Sequence, residues 1–160
     1  MTNLAFTLRD VGLTLLKVAF VTTLFFASYS AYAATLSTVP ATGVYKAGQT
    51  FTAQVVVNTN GAPVNAADGT LTFNPKEVTV VAVNKGSIFS LWTADPAFSN
   101  ANGTITFSGG SPSGYTGSSG TVISITLKAT AAGSPKISFS KGSVLAADGK
   151  GTNVLTAMNG

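Results

Sequence analysis

"GTITFSGGSPSGYTGSSGTVISITL", Gly103 to Leu127, joins two runs that alternate like β-strands through a middle made almost entirely of Gly and Ser. Each run places Ile, Phe or Leu on one side and Thr or Ser on the other, and a ribbon of this kind needs a core to pack on. Only about forty residues follow Gly120, too few for a second cysteine-free domain. The middle, Gly109 to Gly120, is therefore predicted to be a loop inside one domain, not a linker.

The same period of two continues through the rest of the chain from Ala34 onward. Asn60-Gly61 is a tight-turn signal, and Asn74-Pro75-Lys76 predicts a single helical turn capped by the asparagine. Further predicted strands are Phe51–Val57, Leu71–Phe73, the buried run Val78–Val83, Ile137–Phe139, and a final pair at 143–145 and 152–155 around Asp148-Gly149. Roughly seven to nine short strands between turn signals predict a single all-β domain, a β-sandwich or barrel.

Residues 1–33 have the organisation of a signal peptide. Arg9 and Lys17 provide a positive first part, Val18–Ala27 an apolar stretch, and Ala31-Tyr32-Ala33 a small-x-small cleavage site. We expect export to the cell surface or the extracellular space with cleavage after Ala33; a retained N-terminal anchor is the alternative. The domain is then expected to cover residues 34–156, with a short tail at 157–160.

The composition of the chain argues against catalysis. It contains no Cys and no His, so zinc chemistry and histidine-assisted nucleophiles are not expected. The carboxylates after residue 33 sit in turn-like contexts instead of opposed pairs; they are Asp68, Glu77, Asp95 and Asp148. The stretch Asp148–Asn153 has one carboxylate where a calcium loop needs several. We therefore expect a non-catalytic protein without cofactor or metal.

Seven lysines follow residue 33, but they are scattered singly along the chain. A nucleic-acid interface would concentrate positive charge in one stripe. The sequence therefore predicts no nucleic-acid partner, and no membrane association once the signal peptide is removed.

Binding is the remaining class of function, and the alternation predicts where it occurs. If the apolar positions point inward, the intervening side chains form a flat, nearly uncharged outer face. Its predicted members are Asp68, Thr70, Thr72, Thr104, Thr106, Ser108, Ser124 and Thr126. Threonine also suits any exposed strand, so this composition is compatible with an inert surface as well as with a docking surface.

Two aromatic residues are candidates for contact with a ligand. Tyr115 lies among glycines, where little would cover it, and is predicted to project near the outer face as an anchor for a partner. Trp92 is interpreted as half-buried packing. In the alternative of a carbohydrate-binding module, Trp92 and Tyr115 would stack on sugar rings, and a structural or adhesin spacer is a further alternative.

With its strands placed, the chain resembles a cohesin domain, the cell-surface and cellulosomal module that binds dockerins. Four segments carry the resemblance from Ala34 to about Leu155. They are Gly43-Val-Tyr-Lys-Ala-Gly-Gln-Thr-Phe, Val64-Asn-Ala-Ala-Asp-Gly-Thr-Leu-Thr-Phe-Asn-Pro, Thr104-Ile-Thr-Phe-Ser-Gly-Gly, and Gly120-Thr-Val-Ile-Ser-Ile-Thr-Leu-Lys-Ala.

The resemblance implies a nine-stranded jelly-roll sandwich, no catalysis, and a dockerin-binding face on one sheet. Family members often carry an Asn and an Asp two residues apart on this face; Asp68 matches the Asp, while Ala66 stands in place of the Asn. An acidic residue common on a later strand falls near Gly110 here, which we include among the protein-binding positions. The calcium of such pairs belongs to the dockerin.

Overall fold

Nine β-strands follow one another in residues 33–160, the part of the chain that the computed structural model describes. The strands are β1 (Ala34–Val39), β2 (Thr50–Asn58), β3 (Val64–Phe73), β4 (Val78–Lys85), β5 (Leu91–Ser99), β6 (Thr104–Tyr115), β7 (Gly120–Ala129), β8 (Ile137–Ala146) and β9 (Leu155–Asn159). The predicted all-β fold is confirmed. No helix in this part of the chain is long and apolar enough to span a membrane. Apart from Ala33, the predicted signal peptide lies outside the described residues.

The strands form a sandwich of two sheets. One sheet has five strands in the order β4-β7-β2-β1-β9, and the other has four in the order β5-β6-β3-β8. All neighbouring strands are antiparallel except β1 and β9, which run parallel. The inward side chains of both sheets make one core without any disulfide, and the largest fully buried ones include Leu36, Val55, Leu71, Ile105, Ile125 and Leu127.

Both short-range turn predictions hold. Asn60 and Gly61 have positive φ angles of 47° and 87°, and the Ala62 N–H donates to the Thr59 carbonyl at 3.0 Å, the hydrogen bond of a tight β-turn; this turn connects β2 to β3 in the other sheet. At Asn74, the Val78 N–H donates to the backbone carbonyl at 3.1 Å, as in one helical turn. The Asn74 Oδ1 accepts from the Lys76 N–H at 3.1 Å and caps this turn.

The Gly/Ser segment belongs to the one domain, as predicted, but most of it is strand and not loop. Strand β6 continues to Tyr115 because Gly109 and Gly110 pair with neighbours on both sides, in β3 and in β5. A side chain at Gly109 would meet the Trp92 ring at 2.8 Å, so the glycine leaves room for that ring. Only residues 116–119 connect β6 to β7.

The end of the chain also differs from the prediction. Strand β8 runs unbroken from Ile137 to Ala146, and the expected hairpin at 143–145 and 152–155 is reduced to one isolated bridge between Leu145 and Asn153. The chain then crosses to the other sheet, where β9 pairs in parallel with β1 up to Asn159. The expected tail at 157–160 is therefore wrong for all but its last residue.

Strand β4 is less buried than its β-branched run predicted. It is an edge strand, and its pairing with β7 is shifted between Val80 and Ala82. Val81 is the extra residue of this bulge, and its side chain is 55% exposed. A bulge of this kind interrupts an edge that could otherwise pair with another chain.

Candidate functional site

The outward side chains of β3, β5, β6 and β8 form one surface, which we call the four-strand face. Of the predicted positions it contains Asp68, Thr70, Thr72, Thr104, Thr106 and Ser108. The register of β3 and β6 brings them together, because Thr72 pairs with Thr104, Thr70 with Thr106 and Asp68 with Ser108. Their side chains are exposed or half-buried.

Ser124 and Thr126 do not belong to this surface, and the prediction of one shared face is wrong for them. Both lie on β7 in the five-stranded sheet, where Ser124 pairs with Gln54 and Thr126 with Thr52. Alternation separates the inside of a strand from its outside, but it does not say which sheet the strand joins.

One row across the four-strand face is apolar. From β5 to β8 it consists of Leu91, Gly110, Ala66 and Leu145, each paired with the next. Leu91 is 59% exposed and Leu145 is half-buried. We call these four residues the apolar row: a large side chain stands at each edge, with glycine and alanine between them.

The next row is polar and its side chains bond to one another. The Ser143 hydroxyl donates to Asp68 Oδ2, and the hydroxyls of Thr93 and Ser108 lie 2.8 Å apart. Asp68 and Ser108 are central, with Ser143 on β8 and Thr93 at a bulge of β5. The hydroxyls of this row therefore have hydrogen-bond partners within the face itself.

A third row carries the other charge of the face. Thr106 pairs with Thr70 and with Ala97, and Thr70 pairs in turn with Lys141 on β8. The Lys141 side chain is exposed. The Asp68 carboxylate and the Lys141 ammonium thus lie in different rows of the face. The other side chains described in these rows are apolar or carry hydroxyl groups.

The apolar row and the row beside it surround a shallow depression of about 510 Å³. Pro112 closes one side, and the loop with Gly149 and Gly151 closes another. That loop is held by Asp148, which accepts from the Thr152 hydroxyl at 2.5 Å and from the Lys150 N–H at 2.8 Å. These hydrogen bonds lower the pKa of Asp148 below its ordinary value. They therefore stabilise the folded state at pH values above that ordinary pKa, and this stabilisation is lost as the pH falls through the lowered pKa.

The four carboxylates in residues 33–160 all have local partners. Asp68 bonds to Ser143 and Asp148 to Thr152, while Asp95 pairs with Lys85 at 2.6 Å and Glu77 accepts from the Asn74 amide at 2.9 Å. No group of three or more His, Cys, Asp or Glu in the described residues could hold a metal ion.

Trp92 is half-buried and packs on the core from the inner side of β5, as interpreted from the sequence. Its ring meets that of Phe89 edge to face, with 6.2 Å between the centroids, and the Lys85 ammonium lies 5.7 Å from its ring centroid. Trp92 is therefore not a platform on the four-strand face.

Tyr115 does not project toward a partner as the sequence predicted. It is half-buried against the core, and its ring lies over Gly117 and Gly120, where an added side chain would collide with it. The glycines do not leave the ring uncovered; they make the space into which it folds. A role for Tyr115 in binding stays a prediction.

Sequence reasoning missed the apolar row as a unit. Leu91 and Leu145 were not among the predicted site residues, and Gly110 was included only through the family resemblance. Their common position follows from the pairing of β5, β6, β3 and β8, of which only β5 and β6 are consecutive in the chain. The only local signal was Leu91 itself, an apolar residue directly before the tryptophan of an edge strand.

Several solved structures have the same fold as this chain. A non-cellulosomal cohesin from Archaeoglobus fulgidus is 16% identical with a TM-score of 0.60, covering 80% of this chain and 88% of that protein. The sixth cohesin of scaffoldin B from Acetivibrio cellulolyticus, solved with a Cel5 dockerin mutant, is 17% identical with a TM-score of 0.60, covering 80% and 96%.

A third likeness is to the Coh-OlpC-Doc435 complex, a type I cohesin-dockerin complex from Clostridium thermocellum, at 16% identity and a TM-score of 0.60, covering 83% and 93%. These likenesses show the jelly-roll sandwich that the resemblance implied. No curated protein matches the sequence. The family model of the cohesin domain, however, matches residues 35–159, nearly all of the described part, and the chain therefore belongs to the cohesin family.

Proposed function

We propose that this protein is an exported, non-catalytic binding module that docks a dockerin-type protein partner through the four-strand face, in extracellular or cell-surface complexes. The observation that carries the proposal is the apolar row, where Leu91 is 59% exposed beside a depression in an otherwise hydroxyl-rich sheet. Exposed apolar surface with a polar surround is typical of interaction sites. The cohesins of known structure from Acetivibrio cellulolyticus and Clostridium thermocellum named above are in complexes with dockerins, which supports a partner of this class.

The export part of the proposal is supported by the signal-like residues 1–33 and by the position of β1. This strand begins at Ala34, so cleavage after Ala33 leaves all nine strands intact. The Ala34 N–H donates to the Val154 carbonyl at 2.8 Å, and the new terminal amine retains this donor.

The alternative is carbohydrate binding, and the two aromatic residues named for it do not form a platform on the four-strand face. Sugar rings stack on exposed aromatic faces. Within residues 33–160, no aromatic side chain occupies an outward position of the four-strand face, and both Trp92 and Tyr115 pack against the core.

Affinity capture from culture fluid of the source organism tests the proposal. The immobilised chain should retain a protein with a dockerin-type module, and a calcium chelator should release it because the calcium of such pairs belongs to the dockerin. The secreted form of the chain itself should begin at Ala34 when its N-terminus is sequenced.

Two results would contradict the proposal. Recovery of polysaccharide alone, with no protein released by the chelator, would contradict the proposed docking of a protein partner. Recovery of the chain only inside cells, with its N-terminus at Met1, would contradict the proposed export.

A further inference from the structure

We infer that the Asn102 side chain accepts an N-linked glycan when the chain is exported. This inference rests on the export part of the proposed function, because glycan transfer of this kind acts on chains that cross a membrane. Three observations carry it: the sequence around Asn102, the free amide of its side chain, and the way the surrounding turn is held.

The sequence Asn102-Gly103-Thr104 has the form Asn-x-Thr, the acceptor motif for N-glycosylation. It occurs once in the 160 residues, because no other asparagine is followed two positions later by serine or threonine. The middle position excludes proline, and glycine satisfies this condition. A motif of three residues is common by chance, so the structural setting of Asn102 decides whether it can carry a sugar.

A glycan can be carried only by an amide that the fold does not use. The Asn102 side chain is exposed, and within residues 33–160 its amide has no hydrogen-bond partner, since only the backbone N–H donates, to the Ser99 hydroxyl at 3.3 Å. Attachment of a sugar to its Nδ2 therefore breaks no contact of the fold. Other asparagines of this part of the chain use their side chains in hydrogen bonds; they include Asn58, Asn60, Asn74, Asn100, Asn153 and Asn159.

The turn that carries Asn102 is held on both sides. Before it, the Asn100 amide bonds to both backbone groups of Val80, at 2.8 and 2.9 Å. After it, the Gly103 carbonyl accepts from the Phe73 N–H at 2.9 Å, and Gly103 has a φ of 63°, which glycine adopts without strain. Asn102 therefore lies at a defined position at the exposed end of the β5–β6 hairpin.

This position leaves the proposed docking surface accessible. Thr104, the last residue of the motif, pairs with Thr72 at one end of the four-strand face. Gly110 of the apolar row lies six residues further along β6, a distance of about 20 Å. A glycan on Asn102 would therefore cover the β5–β6 turn and leave the apolar row open.

The transfer needs a lipid-linked oligosaccharide and a transferase on the outer side of the membrane. The Asn102 Nδ2 forms a bond to the anomeric carbon of an oligosaccharide that is carried on a lipid pyrophosphate. The bond between that carbon and the pyrophosphate oxygen breaks, the lipid pyrophosphate leaves with the electron pair, and Nδ2 loses one proton to solvent. The Thr104 hydroxyl is the group that the acceptor motif requires two positions after the asparagine.

Mass spectrometry of the chain isolated from culture fluid of the source organism tests the inference. Trypsin should release residues 86–128 as one peptide, because no Lys or Arg lies between Lys85 and Lys128. We expect the mass of this peptide to be raised by that of an oligosaccharide, and fragmentation that preserves side-chain bonds should assign the whole addition to Asn102. The same peptide from chain produced in a host without an oligosaccharyltransferase gives the unmodified mass.

Three substitutions, expressed in the source organism, separate the motif from its surroundings. Asn102→Gln removes the acceptor at an exposed position and should abolish the added mass completely. Thr104→Val removes only the hydroxyl and should do the same, whereas Thr104→Ser retains the hydroxyl and should keep a glycan. The exposed position of Asn102 keeps the test valid if Thr104→Val does not fold.

The outcomes separate this inference from the proposed function. A secreted chain that begins at Ala34 but carries Asn102 unmodified or as aspartate, or that carries its sugar on a serine or threonine, would overturn the inference and leave export in place. Retention of the added mass in Asn102→Gln would overturn it as well. If the chain is recovered only inside cells with its N-terminus at Met1, export and the glycan are both wrong.

Discussion

The Tyr115 side chain was predicted from the sequence to contact a partner, but in the fold it packs against the core. It is surrounded by glycines along the chain, yet its ring lies on Gly117 and Gly120 and touches the core. Small neighbours can expose a large side chain or give it a place to lie, and local sequence does not distinguish the two.

Tyr115→Ala is therefore expected to destabilise the fold. Removing a half-buried aromatic ring should lower the free energy of unfolding by about 1.5–3 kcal/mol, somewhat less than truncation of a fully buried aromatic residue. Guanidinium unfolding, followed by the fluorescence of the single tryptophan, Trp92, measures the change.

The control is Val44→Ala, at a side chain that is 84% exposed. It should change the same free energy by less than about 0.5 kcal/mol. A Tyr115→Ala protein as stable as this control would mean that the ring is exposed in solution, as the sequence first predicted.

At the level of elements, Asn100 connects the two sheets. It lies in the turn between β5 and β6 of the four-stranded sheet, and its amide reaches β4 at the edge of the other sheet. The Asn100 Oδ1 accepts from the Val80 N–H at 2.8 Å, and its Nδ2 donates to the Val80 carbonyl at 2.9 Å. At the bulge of β4, the amide thus makes the two backbone hydrogen bonds that a neighbouring strand would otherwise make.

Asn100→Ala should lower the free energy of unfolding by about 1–3 kcal/mol because the backbone groups of buried Val80 lose their partner. Chemical denaturation of both variants compares it with Asn102→Ala, two residues along the same turn, where the side chain is exposed. The Asn102 variant should change little. Equal effects of the two substitutions would show that the amide bridge contributes nothing measurable.

The elements also mark the limit of sequence reasoning in this chain. Alternation located the strands, and Asn60-Gly61 located the tight turn between β2 and β3, because both depend on neighbouring residues. The parallel pairing of β9 with β1 depends on contacts between residues more than a hundred positions apart, and no local pattern encodes it. For the same reason, the sequence prediction assigned Ser124 and Thr126 to the wrong sheet.

In the whole molecule, the outer faces of the two sheets have a similar composition of neutral polar side chains. The five-stranded sheet also presents neutral polar side chains outward, among them Thr52, Gln54, Ser124 and Thr126. A hydroxyl-rich face is therefore what exposed strands of this chain look like in general. The four-strand face differs by the apolar row and its depression, which the sequence could not assemble without the sheet order.

The most direct test of the account compares one arginine on each outer face. Thr106 lies at the centre of the four-strand face, and Thr52 lies on the five-stranded sheet; both are exposed threonines within strands. Isothermal titration with the captured dockerin-bearing protein should show Thr106→Arg weakened at least about tenfold, a loss of about 1.4 kcal/mol. Thr52→Arg should stay within about twofold of the unsubstituted chain, with both variants melting normally. Full affinity in Thr106→Arg together with loss in Thr52→Arg would place docking on the opposite sheet and contradict the account.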